Sequence, residues 1–73
     1  MKTYQTMFGE AIAKIEEGKT VVYLKDAENK VRAFQFDRHV KPALAVDHVT
    51  NGILNRSIPK DYETFDFIKR GGQ

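Results

Sequence analysis

The chain has no cysteine and no tryptophan, a single serine at Ser57, and only two histidines and two prolines. Without cysteine it has neither disulfides nor thiolate metal clusters as staples, which fits a reducing compartment. A zinc site needs three or four ligands with matching geometry. His39 and His48, nine residues apart with Asp37 and Asp47 nearby, read instead as loop surface, and no metal or other cofactor is expected. Nothing in the sequence sets Ser57 beside a histidine, so no nucleophile–base pair is visible. There is no glycine-rich phosphate cradle, since Gly71 and Gly72 belong to the tail. The adjacent carboxylates Glu16 and Glu17 read as solvated charges. The chain is therefore not expected to be an enzyme. No apolar run approaches the ~18 residues that a membrane span needs, and no signal-peptide core is seen, so a soluble, unsecreted protein is expected.

What is present bounds the fold. Seventy-three residues make one domain, expected over 1–68 with a disordered polar tail at 69–73. Twelve basic and ten acidic side chains give a net charge of +2, a weak bias for a nucleic-acid binder. Residues 25–41 hold five basic and three acidic side chains, so the whole excess lies there. It reads as an ordinary solvated face, with a weak anion-attracting patch as the alternative.

After a short mobile lead, Thr6 reads as an N-cap. Met7, Phe8, Ala11, Ile12 and Ile15 then recur at three- and four-residue steps as the apolar stripe of a helix that Gly18 ends. Gly9 is the weak point of that helix. Residues 20–25 and 31–36, rich in β-branched and aromatic side chains, read as a hairpin around the turn at 26–29. Pairing Lys25 with Lys30 puts Val21, Tyr23, Arg32 and Phe34 on one face; a one-residue slip exchanges the partners. Lys41, before Pro42, should be extended or in a turn. Residues 43–46 are either a strand or one helical turn, and Thr50 either caps a short helix or precedes a turn at Asn51-Gly52. Residues 62–68 alternate as a third strand, with Phe65 and Phe67 as a lid for the hairpin. The expected fold is α+β: an N-terminal helix on a small antiparallel sheet of two or three strands, plus one short helical segment.

In either register both hairpin faces are apolar, more than one helix covers. Either the C-terminal half covers the second face, or part of it is a docking surface. A nucleic-acid reading would use Lys25, Lys30, Arg32, Arg38 and Lys41 with Tyr23 and Phe34 as stacking groups, but Asp26, Glu28 and Asp37 interrupt the cations, so direct binding is not expected.

The run MKTYQTMFGEAIAKIEEGKTVVYLKDAENKVRAFQF carries a resemblance. Its FGEA-to-EGK segment, about a quarter of the chain, is similar to the opening of many small phage-encoded domains. Many of those have a tryptophan after the first strand region; its lack here counts against their nucleotide-sequestering members. Over its full length the chain resembles the small early transcription regulators of lytic Xanthomonas phages. That resemblance implies a host-takeover protein in the host cytoplasm that binds bacterial RNA polymerase through the β′ N-terminal segment near the β flap. It also implies σ displacement, inhibition of initiation, and antitermination. A surface competitor of this kind needs apolar anchors and steering charge. The physical candidates are Tyr23, Val31 and Phe34 as anchors and Lys30, Arg32, Arg38 and Lys41 as cations. The alternatives are a protein that sequesters a small nucleotide signal and a single-stranded nucleic-acid-binding module.

Overall fold

The computed structural model describes residues 2–58 and the backbone of 64–66. Four strands, β1 (Thr3–Thr6), β2 (Gly9–Glu16), β3 (Lys19–Lys25) and β4 (Val31–Gln35), run as an antiparallel meander. Helix α1 (Pro42–Leu54) follows, and β5 (Thr64–Asp66) then pairs with β4 in parallel, giving the order β1-β2-β3-β4-β5.

The expected N-terminal helix is not there. The stretch assigned to it is the β1–β2 hairpin, and the helix lies after the antiparallel strands. Two glycines explain why. Gly9 has φ +136°, and a Cβ there would collide with the Lys25 carbonyl. It is a point of close backbone approach to β3, not a weak link in a helix. Gly18 (φ 77°) and Glu17 (φ 54°) form the two-residue loop between Glu16 and its partner Lys19. Positive φ at both positions is the type I′ turn that suits the twist of a hairpin. Thr6 is a turn residue, not an N-cap: its Oγ1 accepts the Phe8 N–H (3.1 Å) and donates to the Gly9 carbonyl (2.8 Å). Thr3, Tyr4 and Gln5, expected in a mobile lead, pair with Ile12, Ala11 and Glu10.

The β3–β4 register is also shifted by one from the Lys25–Lys30 pairing. Lys25 sits opposite Val31, because Asp26 Oδ1 accepts the N–H groups of both Glu28 (2.9 Å) and Lys30 (3.0 Å) and draws Lys30 into the loop. The shift turns Arg32 and Phe34 toward the helix, with Val22 and Leu24, and turns Val31 and Ala33 to the opposite face with Val21 and Tyr23.

α1 spans both segments left open in the sequence. Lys41 is extended (φ −56°, ψ 137°) and Pro42 starts the helix, where a missing N–H costs nothing. Asn51-Gly52 is helical. Gly52 is buried, and a Cβ there would strike the Ile58 side chain, so its smallness lets the chain fold back onto the helix end. Ala45, Val46, Val49 and Ile53 form the buried stripe. With Ala11, Val22, Leu24, Phe34, Phe36 and Ile58 they make the core. The third strand is confined, among the described residues, to Thr64–Asp66 and is parallel. The rest of the expected strand, the proposed lid and the tail lie outside the described residues or side chains.

Thr20 joins sheet and helix. It is fully buried; its Oγ1 donates to the Val40 carbonyl (2.7 Å) and accepts the Val40 N–H (2.8 Å). Its backbone N–H donates to the Arg38 carbonyl (3.0 Å) and its carbonyl accepts the Phe36 N–H (2.9 Å).

Two stability measurements test this architecture. In an exposed helix, Gly9→Ala would stabilise by about 1 kcal/mol. In this sheet it should destabilise by about 2 kcal/mol or more, which thermal unfolding reads as a fall in Tm of roughly 10 °C. Thr20→Val keeps the shape but leaves both Val40 backbone groups without their hydroxyl partner. It should cost about 1–3 kcal/mol in urea unfolding, with Thr20→Ser closer to the parent.

Candidate interaction surfaces

The register sorts every strand residue to one of two faces. The helix-covered face holds the core. The open face is a grid of cross-strand rows: Gln5, Glu10, Lys25 and Val31; Thr3, Ile12, Tyr23 and Ala33; Lys14, Val21 and Gln35; Glu16 and Lys19. Its centre is an apolar strip bordered by opposite charges that lie across from one another, as on a sheet face adapted to water. Val31 departs from that pattern, since it is 52% exposed although apolar.

Tyr23 is held in place on this face. Its hydroxyl donates to Glu16 Oε2 (2.8 Å), and Lys14 Nζ lies 5.6 Å from its ring centroid, within cation–π range. The hydrogen bond to the Glu16 carboxylate, more than the slight burial and the charge itself, raises the phenol pKa above its usual 10.0.

The structure brings together only part of the sequence-predicted site. Tyr23 and Val31 share the open face, and Lys30 lies in the β3–β4 loop, its backbone N–H donating to Asp26 Oδ1. Phe34 is fully buried on the other face and cannot anchor a partner without unfolding. Arg32 is on that face too, with its guanidinium carbon 5.2 Å from the Phe34 ring centroid. Arg38 and Lys41 lie between β4 and α1, beyond the end of β4 remote from Val31. Arg38 is engaged by its neighbour: Nε donates to Asp37 Oδ1 (2.9 Å) and Nη2 to Oδ2 (3.1 Å), which lowers the Asp37 pKa and raises that of Arg38. Sequence reasoning missed Lys14, Ile12 and Lys25 as members of one face with Tyr23, because it placed Lys14 and Ile12 on a helix. Alternation from Glu10 to Glu16 was the available signal.

A second surface involves none of these residues. Between the outer edge of β1 and α1 runs a groove of about 370 Å³, whose lining includes Tyr4, Met7, Val46, Asp47 and Leu54. Met7 is 73% and Leu54 52% exposed.

Ser57 and His48 each contact a neighbouring side chain. Ser57 Oγ lies 2.7 Å from Asn55 Oδ1 in the turn that closes α1. The His48 ring is tilted against Phe36 with centroids 6.3 Å apart, and His39 is exposed in the loop before α1. Among the described residues no three His, Asp or Glu side chains are grouped as metal ligands, and no buried side-chain polar atom lacks a hydrogen-bond partner.

Comparisons with protein-family models, with curated proteins and with solved structures returned no match.

The Tyr23–Glu16 pair gives a pH dependence of definite sign. The folded state prefers the protonated phenol, so the pair's contribution is complete below the ordinary tyrosine pKa of 10.0. It is lost as pH rises through the elevated value. Glu16→Ala should bring the Tyr23 pKa back toward 10.0, followed by NMR of the Tyr23 ring carbons. An unmoved pKa would rule the carboxylate out as the cause.

Proposed function

We propose that this domain acts without chemistry, by occupying a surface of host bacterial RNA polymerase through the open face of its sheet. The partner is the one the sequence resemblance implies: the N-terminal segment of β′ near the β flap. Occupation there would displace σ, inhibit initiation and favour antitermination. The observation that carries the mode of action is the half-exposed Val31 on the helix-free face, directly across from Lys25 and one cross-strand row from Tyr23. An exposed apolar anchor on a face that also carries a fixed aromatic ring and cations is the kind of surface from which a few residues supply most binding energy. The lysines would steer the domain toward an acidic surface. In this reading Phe34 is no longer an anchor, Arg32 is no longer a steering cation of the open face, and Arg38 is weakened as a steering charge by Asp37.

The same face could attract single-stranded nucleic acid through Tyr23 and the lysines, but Glu10 and Glu16 stand in the same rows and oppose a phosphate backbone. Purified polymerase decides between the readings. The parent domain should bind it and suppress σ-dependent initiation in vitro, and Val31→Asp should weaken binding by about tenfold or more while lowering Tm by only about 5 °C, with Val31→Thr, a good strand former, weakening binding at near-parent Tm. Failure of the parent domain to bind polymerase would overturn the proposal. Salt-dependent binding to single strands in its place would favour the nucleic-acid reading.

A further inference from the structure

Among the described residues no strand lies beside the outer edge of β1. In an antiparallel pair every second residue turns its backbone N–H and C=O away from its partner, so this edge presents unpaired donors and acceptors at strand spacing. Edges are commonly guarded by charge, proline or a bulge. β1 reads Thr-Tyr-Gln-Thr, with no charged residue and no proline. Beside the edge lies the groove formed with α1, where Tyr4 and Val46 give an apolar wall and Met7 and Leu54 remain exposed.

We propose that this groove accepts an extended peptide segment as a further strand on β1. Main-chain hydrogen bonds to the edge would hold it, and alternate side chains would enter the groove. The charge of the occupant follows from the lining. Among the described residues that line the groove Asp47 alone is charged; it is exposed, and no ion pair or side-chain hydrogen bond among those residues engages its carboxylate. The favoured segment is therefore apolar at alternate positions and carries a lysine or arginine opposite Asp47. This inference does not depend on polymerase being the partner.

The test uses the full chain and three synthetic peptides of alternating valine and threonine: one with a central lysine, one with glutamate in its place, and one with the lysine sequence but N-methylated along its bonding edge. Amide NMR should show the lysine peptide perturbing Thr3–Thr6 together with Val46, Asp47 and Leu54. The glutamate peptide should bind about tenfold more weakly, the N-methylated peptide should not bind, and Asp47→Asn should erase most of the difference between lysine and glutamate. The inference is overturned by an absence of shifts with the lysine peptide at ~1 mM, by equal binding of the N-methylated peptide, or by shifts confined to the Tyr23 and Val31 face. Concentration-dependent shifts of β1 without peptide would also overturn it, by making a second copy of the chain the occupant.

Discussion

The hydroxyl of Thr20 decides where the helix goes. One small side chain, sealed from water, satisfies both backbone polar groups of Val40, while its own backbone pairs with Phe36 and Arg38. That clamp fixes the last residues before Pro42 against the start of β3. The helix can then descend only across β3, β2 and β1, where Val46, Val49 and Ile53 meet Val22, Leu24 and Ala11. A buried polar group left without its partner costs about 1–3 kcal/mol, against roughly 1 kcal/mol returned by a made hydrogen bond, so a chain that left β4 by another path would strand Val40 and Thr20. Direction of the helix is thus set by polar satisfaction, and its depth by the apolar stripe.

Among the described residues the one helix lies on one side of the sheet, and the other side carries the cross-strand rows of charged and apolar side chains. The charge rows suit that open face to water, and Val31 suits it to a partner. Tyr23 connects the two. Its ring is already held by Lys14 and its hydroxyl by Glu16, so docking against it would sacrifice little side-chain freedom. The residues that make this face tolerable in water are thus also the ones that would make it a rigid contact surface.

Strands are legible in the sequence where β-branched and aromatic residues are dense, and hidden where they are not. Residues 20–25 and 31–35 lie within strands as expected. The first hairpin was lost because Met7, Phe8, Ala11, Ile12 and Ile15 satisfy a helical stripe as well as a strand alternation, and alanine and glutamate favour the helix locally. Gly9 and Gly18 held the discriminating information, but only through contacts made by a distant strand and through the turn type, neither of which composition displays. At Asn51-Gly52 the error ran the other way. A dipeptide that marks turns lies inside a helix, because Ile58 needs the space that glycine leaves. The site suffered with the fold: a one-residue slip, caused by the Asp26 carboxylate drawing Lys30 into the loop, was enough to put Phe34 in the core and Val31 in the open.

The two surfaces are not separate in space. Thr3 and Gln5 of β1 stand in the same cross-strand rows as Ile12, Tyr23, Lys25 and Val31. A strand added at the β1 edge would lengthen those rows, with its groove-side residues under α1 and its alternate residues on the open face. A stable interface takes about 800 Å² from each partner, a large share of the 5090 Å² that this small molecule exposes. A four-residue edge supplies main-chain bonds and direction but little area, and the open face supplies area but no hydrogen-bond ladder. A partner that lays an extended segment along β1 and a folded surface across Tyr23 and Val31 would use both, taking direction from the edge and area from the face.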